Sequence, residues 1–276
     1  MSQLAQIELF SVIKIIGDDA VSFLQGQVTC DVTQLKNVDW LAGVHCNAKG
    51  KMWSSFLAFQ RQDAIYLVLS RESAVSTLAE LNKYGVFAKA DITDDSPNWF
   101  IYGSNEQHAE AFSLELATNH FLVLSETQLE ATEAGDEWLF NEVSSGRAHL
   151  FNGTIGEYVP QMLNLQALDY ISFNKGCYMG QEMVARMRYL GKNKRALYIA
   201  EIEQDVSLEI AQDVYRDLNG NRRSAGKVIN FASYNGKTVA QLVLPKDTDL
   251  TDLIYTDQES DTALQLVALP YSLEEE

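Results

Sequence analysis

Cysteine is scarce in this chain of 276 residues: Cys30, Cys46 and Cys177 are the whole set, and no two form a C-x-x-C pair. An odd number without paired spacing argues against a disulfide framework or a closed zinc site. Three thiolates also cannot supply the four ligands of an ordinary iron–sulfur cluster, so permanent cluster storage within one chain is not expected. Long apolar runs are missing as well. No stretch of about 18 apolar residues occurs, so no membrane span is expected. The opening "MSQLAQIELFSVIKII" lacks the basic start, long apolar core and small-residue cleavage site of a secretory leader. A reducing cytoplasm is therefore the expected location. No G-x-x-x-x-G-K-[ST] loop exists and no G-x-G-x-x-G follows a strand pattern, which disfavours nucleotide-driven chemistry.

What is present describes a globular chain, long enough for two or three modest domains. Its net charge of -17 opposes nucleic-acid binding over the whole surface. The distribution is uneven. Residues 175–195 hold Lys175, Arg186, Arg188, Lys192, Lys194 and Arg195 against one acid, Glu182. A basic island in an acidic protein is either an anion site or a solvated helix face with its loop.

Along the chain, Asp19 stands where an aspartate caps a short helix over "AVSFLQGQ", with Val21, Leu24 and Phe23 as its buried face and Gly26 at its end. "WLAGVHCNAKGKMWSSFLAFQRQDAIYLVLS" alternates as strands, with turns at Asn47–Lys51 and at "QRQD". "SRESAVSTLAELNKYGV" predicts an amphipathic helix opened by Ser70 or Ser73 and closed near Gly85. "KADITDD" and "WFIYGS" read as strands, whereas residues 103–136 give few signals. "EWLFNEVSSGRAHL" is a short helix or strand ending at Gly146, followed by a loop-rich stretch with Gln161, Asn164 and Gln166. After Arg195 six short strand-like runs, punctuated by Asn219-Gly220 and Asn235-Gly236, predict a small antiparallel barrel.

The candidate for chemistry is Cys177 in "KGCYMGQE". A helix start and a nearby cation both favour the thiolate, the reactive form. The helical run after Gly180 and Lys175 two residues upstream supply both expectations. Gly176 and Gly180 let backbone or ligand approach closely, which an inert core cysteine does not require. The competing reading is a buried, unreactive thiol. His45 and His149 are more readily structural than catalytic, and Cys30 packs rather than reacts. The aromatics Phe10, Trp53, Trp138 and Tyr178 could stack on a planar heterocycle or simply fill cores.

At "KGCYMGQEMVARMRYLGKNKRAL" the chain resembles the YgfZ family of folate-binding proteins. Lys175, Gly176, Cys177, Tyr178, Gly180, Gln181 and Glu182 match its K-G-C-Y-x-G-Q-E motif, and Arg186 lies in the helix that follows. "LQGQVTCDV", "CNAKGKMWS", "VPQMLNLQAL" and "LPYSLEE" extend the resemblance over nearly the whole chain, most weakly across 100–136. The family is similar to the glycine-cleavage T-protein, an aminomethyltransferase that uses tetrahydrofolate. The resemblance implies an α+β fold: two ferredoxin-like α+β parts plus a C-terminal antiparallel β-barrel around a central folate-accommodating channel. It divides the chain into a folate-binding region, 1–195, and the barrel, 196–276.

The implied function is support of the assembly or repair of iron–sulfur enzymes, including those that methylthiolate tRNA, with a folate derivative as cofactor. Folate and iron–sulfur enzymes or assembly proteins are the implied partners. Of two tryptophans marking the family's folate site, Trp138 matches one and Phe10 replaces the other. The T-protein's aspartate pair falls at Trp53 and Ser54, so aminomethyl transfer is not expected. Two alternatives stand beside this reading: a true one-carbon transferase, and, ranking below it, a tRNA-binding module using the basic island.

Overall fold

The computed structural model describes residues 4–273 apart from 192, 219, 260 and 261. Lys192 of the basic island, Asn219 of one expected turn and the glutamates of "LPYSLEE" therefore lie outside it. The first run of elements is β1 (Leu4–Gln6), β2 (Phe10–Ile16), α1 (Ala20–Gln25), β3 (Leu41–Cys46), β4 (Met52–Arg61), β5 (Ala64–Ser70), α2 (Arg71–Gly85) and β6 (Asp91–Asp94). Next come β7 (Phe100–Ser104), β8 (Phe112–Ala117), β9 (His120–Ser125), α3 (Asp136–Ser144) and α4 (Gln181–Tyr189). The last six strands are β10 (Arg195–Ile202), β11 (Asp213–Leu218), β12 (Asn221–Tyr234), β13 (Lys237–Pro245), β14 (Leu253–Tyr255) and β15 (Ala263–Val267).

These strands form a five-stranded sheet in the order β3-β4-β5-β2-β6, a four-stranded sheet β1-β7-β9-β8, and a closed barrel β10-β13-β12-β11-β14-β15. All their pairings are antiparallel. The class is α+β with two antiparallel sheets and a six-stranded barrel.

The five-stranded sheet is covered on both faces, which explains the nearly unbroken apolar runs of its central strands. Alternation decides which core each side chain enters. In β5, Ala64, Tyr66 and Val68 face one core, while Ile65, Leu67 and Leu69 face the other. The second core is closed by Ala20 and Leu24 of α1 and by Ala74 and Leu81 of α2. The first is shared with Ile101, Leu122 and Leu124 of the four-stranded sheet and with Leu197 and Val243 of the barrel.

Local signals locate several boundaries. The Ser70 hydroxyl accepts from the Ser73 amide and caps α2. Asn235 and Gly236 both have positive φ and join β12 to β13, as the tight hairpin expected there requires. Two expectations need correction. Asp19 occupies the cap position of α1, but its carboxylate accepts from the distant Lys89 amide at 2.8 Å instead of from the helix. Val21 is exposed, because Ala20 and Leu24 set the buried face of so short a helix. The stretch 103–136, without strong signals, holds β8 and β9.

Candidate functional site

Cys177 is exposed, whereas Cys30 and Cys46 are buried. Burial pushes the Cys30 thiol up to about 12 and Cys46 further still. Cys177 lies in a loop three residues ahead of Gly180, the N-cap of α4. That loop is laid on the segment that follows α1. The Ser172 amide donates to Thr29 O at 3.0 Å and the Met179 amide to Gly26 O at 3.1 Å. The Thr29 hydroxyl donates to Tyr170 O at 2.6 Å, and its oxygen accepts from the Val44 amide in β3. The "LQGQVTCDV" stretch is thus the floor beneath the thiol.

Lys175 has a different role from the one its position suggests. Its Nζ donates to Gln25 O, Val28 O and Cys30 O, each at 2.7 Å, so all three ammonium donors are occupied by carbonyls. Burial pulls its pKa down to about 8. Tyr178, 5.3 Å below the same ammonium, is buried and its phenol is pushed up by desolvation. Glu182 and Arg186 pair at 3.3 Å on the exposed face of α4, where such a pair contributes a few tenths of a kcal/mol. Gln181 opens that helix.

The two glycines of the motif differ physically. Gly180 has φ +83, and a Cβ there would stand 2.6 Å from Asn47 O and 2.9 Å from the Gly50 Cα. Gly50, φ +71, is crowded in turn by Met183. The start of α4 and the β3–β4 turn therefore touch backbone to backbone. A Cβ added at Gly176 would meet nothing within 4 Å beyond its chain neighbours. Gly180→Ala is expected to cost about 2 kcal/mol or more, from backbone strain plus a clash, while Gly176→Ala stays within about 0.5 kcal/mol. Chemical denaturation of both variants measures the contrast. Equal losses would mean that the close contact at Gly180 relaxes freely.

Phe10 and Trp138 do meet, edge to face with ring centroids 6.2 Å apart. They do not form an open stacking platform. Trp138 stacks on the His120 ring at 4.7 Å, and Gly103 packs against the indole so tightly that a Cβ there would fall 2.2 Å from its Cγ. Its indole N–H donates to Phe121 O, and Phe10 is buried against His149. Trp138, buried, borders a cavity of about 460 Å³ together with Glu133, Glu137 and Arg147.

Beneath that cavity is a buried ion cluster that sequence spacing did not reveal. Glu142 accepts from Arg147 Nη2 at 2.8 Å, from His120 Nε2 at 2.8 Å and from His149 Nε2 at 2.9 Å. Burial alone would raise the Glu142 carboxyl, but the guanidinium and the histidine bonds hold it well below the usual range. Both histidines must present N–H to a carboxylate, and His149 Nδ1 is then buried without a partner. Gln241 of β13 donates to Val143 O and Arg147 O, tying the cluster to the barrel.

A second cavity, about 480 Å³, opens between the "PQMLNLQAL" loop, α4 and the barrel. Arg188 and Lys246 line it against Asp169, and the Arg188 guanidinium covers the Phe173 ring at 3.9 Å. Gln161 lines it too. Its Nε2 donates to Val184 O, which fixes the amide orientation and leaves a buried, unpartnered Oε1. At the position of the expected carboxylate pair, Trp53 is half-buried and Ser54 is buried, accepting from the Thr77 hydroxyl at 2.8 Å. No group of three or more His, Cys, Asp or Glu among the described residues is arranged to hold a metal, and no helix among them is long and apolar enough to cross a membrane.

No profile of a known protein family matches the chain. Individual relatives do. It is 35% identical to the tRNA-modifying protein YgfZ of Vibrio atlanticus (strain LGP32), over 97% of this chain and 91% of that protein. The chain belongs to the YgfZ family. The YgfZ protein of Colwellia psychrerythraea (strain 34H / ATCC BAA-681) is 34% identical, over 98% of this chain and 93% of its own length. Among solved structures, glycine cleavage system aminomethyltransferase T from Bartonella henselae superimposes with a TM-score of 0.68 at 14% identity, covering 98% of this chain and 86% of that one. This YgfZ chain therefore has the T-protein fold.

Proposed function

We propose that this YgfZ protein is a folate-binding accessory protein that supports iron–sulfur enzymes, including tRNA-modifying ones, with Cys177 as its working thiol. The observation that carries the reading is the contrast among the three thiols: two are buried, and the third is exposed on a braced loop beside the empty space at Gly176. The names of the relatives as tRNA-modifying proteins support the client class. In the same reading the two sheets are diverged ferredoxin-like parts around a central channel, residues 1–195 form the folate-binding region, 196–276 the barrel, and the site of action is the cytoplasm.

Charge favours one cavity for the folate. The anionic tail is repelled at the Trp138 cavity by Glu133 and Glu137, because Arg147 is already neutralised by Glu142. Beside α4, Arg188 and Lys246 offer charge-assisted bonds to carboxylates, and Gln161 Oε1 suits a pterin amino N–H. Calorimetry with tetrahydrofolate is expected to show binding that Arg188→Ala and Lys246→Ala each weaken about tenfold, the loss of one charge-assisted bond. Trp138→Ala should lower stability and leave affinity in place. Absence of binding at millimolar folate would remove folate from the function.

The transferase alternative lacks a carboxylate at Trp53-Ser54. No turnover is expected when the protein meets methylene-tetrahydrofolate and a lipoyl carrier, and turnover at ordinary enzyme rates would overturn the accessory reading. A tRNA gel shift abolished by changing Lys192, Lys194 and Arg195 to alanine would instead favour the tRNA-binding module.

A further inference from the structure

The carbonyls of Gln25, Val28 and Cys30 converge on one point, and that point is filled by the Lys175 ammonium. Gln25 ends α1, so its carbonyl belongs to the negative pole of a helix and has no helical partner. Three carbonyls directed inward form a small cation nest, and the chain fills it with its own side chain. The nest is stiff, because Thr29 within it is hydrogen-bonded in both directions to Val44 of β3. Two residues beyond Lys175 the thiol stands in the open.

We propose that Lys175 is the positioning residue of the thiol: a tethered cation whose seat in the Gln25–Cys30 nest fixes where Cys177 is presented. This rests on the reading of Cys177 as the working thiol. The Ser172–Thr29 and Met179–Gly26 bonds flank the lysine on either side, so they hold the loop at its ends while Lys175 holds its middle. Lysine suits the seat better than arginine, because a compact ammonium with three rotatable donors can meet three converging acceptors and a planar fork cannot. With a pKa near 8 the lysine is still predominantly charged at neutral pH.

Hydrogen exchange of the full-length protein tests the seat. In Lys175→Met, which keeps the stem and removes the donors, the Ser172 and Met179 amides are expected to exchange roughly tenfold faster or more, while β4 and β5 amides are unchanged. In Lys175→Ala, added propylammonium is expected to restore that protection, and tetramethylammonium, which has no N–H, is not. Unchanged exchange in Lys175→Met, or equal rescue by both cations, overturns the proposal. Complementation of a strain lacking the gene separates the two claims. Loss of support in Lys175→Met alongside loss in Cys177→Ser sustains positioning. Full support by Cys177→Ser defeats the thiol reading whatever the exchange data show.

Discussion

Glu142→Gln is expected to destabilise the protein by about 3–5 kcal/mol, the scale for removing one partner of a buried ion pair. The substitution conserves shape and leaves the Arg147 guanidinium buried without its counter-charge. It also turns an amide N–H toward donors, since Arg147, His120 and His149 all donate to the present carboxylate. These groups come from β9, α3 and the segment after α3, and Gln241 adds the barrel, so the loss is felt wherever those parts meet. The pH dependence has a definite sign. The folded-state carboxyl lies well below its ordinary value, so its contribution is fully present above the ordinary carboxylate range and is lost as pH falls through the folded value. The gap between wild type and Glu142→Gln should therefore be full at pH 7 and shrink in acid. Urea midpoints at several pH values measure it, with Glu137→Gln on the exposed face of α3 as a control expected to change little. A difference under 1 kcal/mol at pH 7 would show that Arg147 finds compensation elsewhere.

Cys177→Ser is expected to abolish support of client enzymes while leaving the urea midpoint unchanged. Serine keeps the size and removes the soft nucleophile, and the side chain is exposed, so little packing is lost. In native protein Cys177 should alkylate at least a thousandfold faster than Cys30 or Cys46. A thiol with a pKa of about 12 is almost wholly protonated at neutral pH, and burial blocks the reagent as well. Peptide mass analysis after timed exposure to iodoacetamide gives the ratio, and complementation by each serine variant gives the role. Comparable alkylation of Cys46, together with full complementation by Cys177→Ser, would make the thiol a bystander.

The sequence was most informative where a local rule governs. The Ser70 cap and the Asn235-Gly236 turn need only neighbours along the chain, and the structure places each where capping or turn chemistry put it. Strand spacing alone anticipated the six-stranded barrel. Local rules fail where a distant group competes. Asp19 serves Lys89, seventy positions away, in preference to its own helix. Lys175 looked like a neighbour for the thiol because the two are close in sequence, yet its ammonium goes to carbonyls from the first thirty residues. The ion cluster was invisible for the same reason: His120, Glu142 and Arg147 carry no shared spacing, and burial alone makes them a unit. Trp138 and Phe10 do lie in contact, but the indole is also packed against Gly103, which no pattern singled out.

The bracing of the Cys177 loop also sets an order of events during biosynthesis. Its bonds to Gln25, Val28 and Cys30 span 150, 147 and 145 residues of chain. Closing so long a loop is entropically costly and slow compared with forming a helix or hairpin. The floor leaves the ribosome early, but the segment it receives arrives only after some 175 residues have been made. At about 5–20 residues per second, the nest at the end of α1 waits for many seconds without its lysine. A nascent chain interrupted before residue 175 would carry the floor and both buried cysteines, and lack both the lysine and the exposed thiol. Display of the exposed Cys177 on its braced loop thereby reports that translation has passed the two sheets and reached the threshold of the barrel.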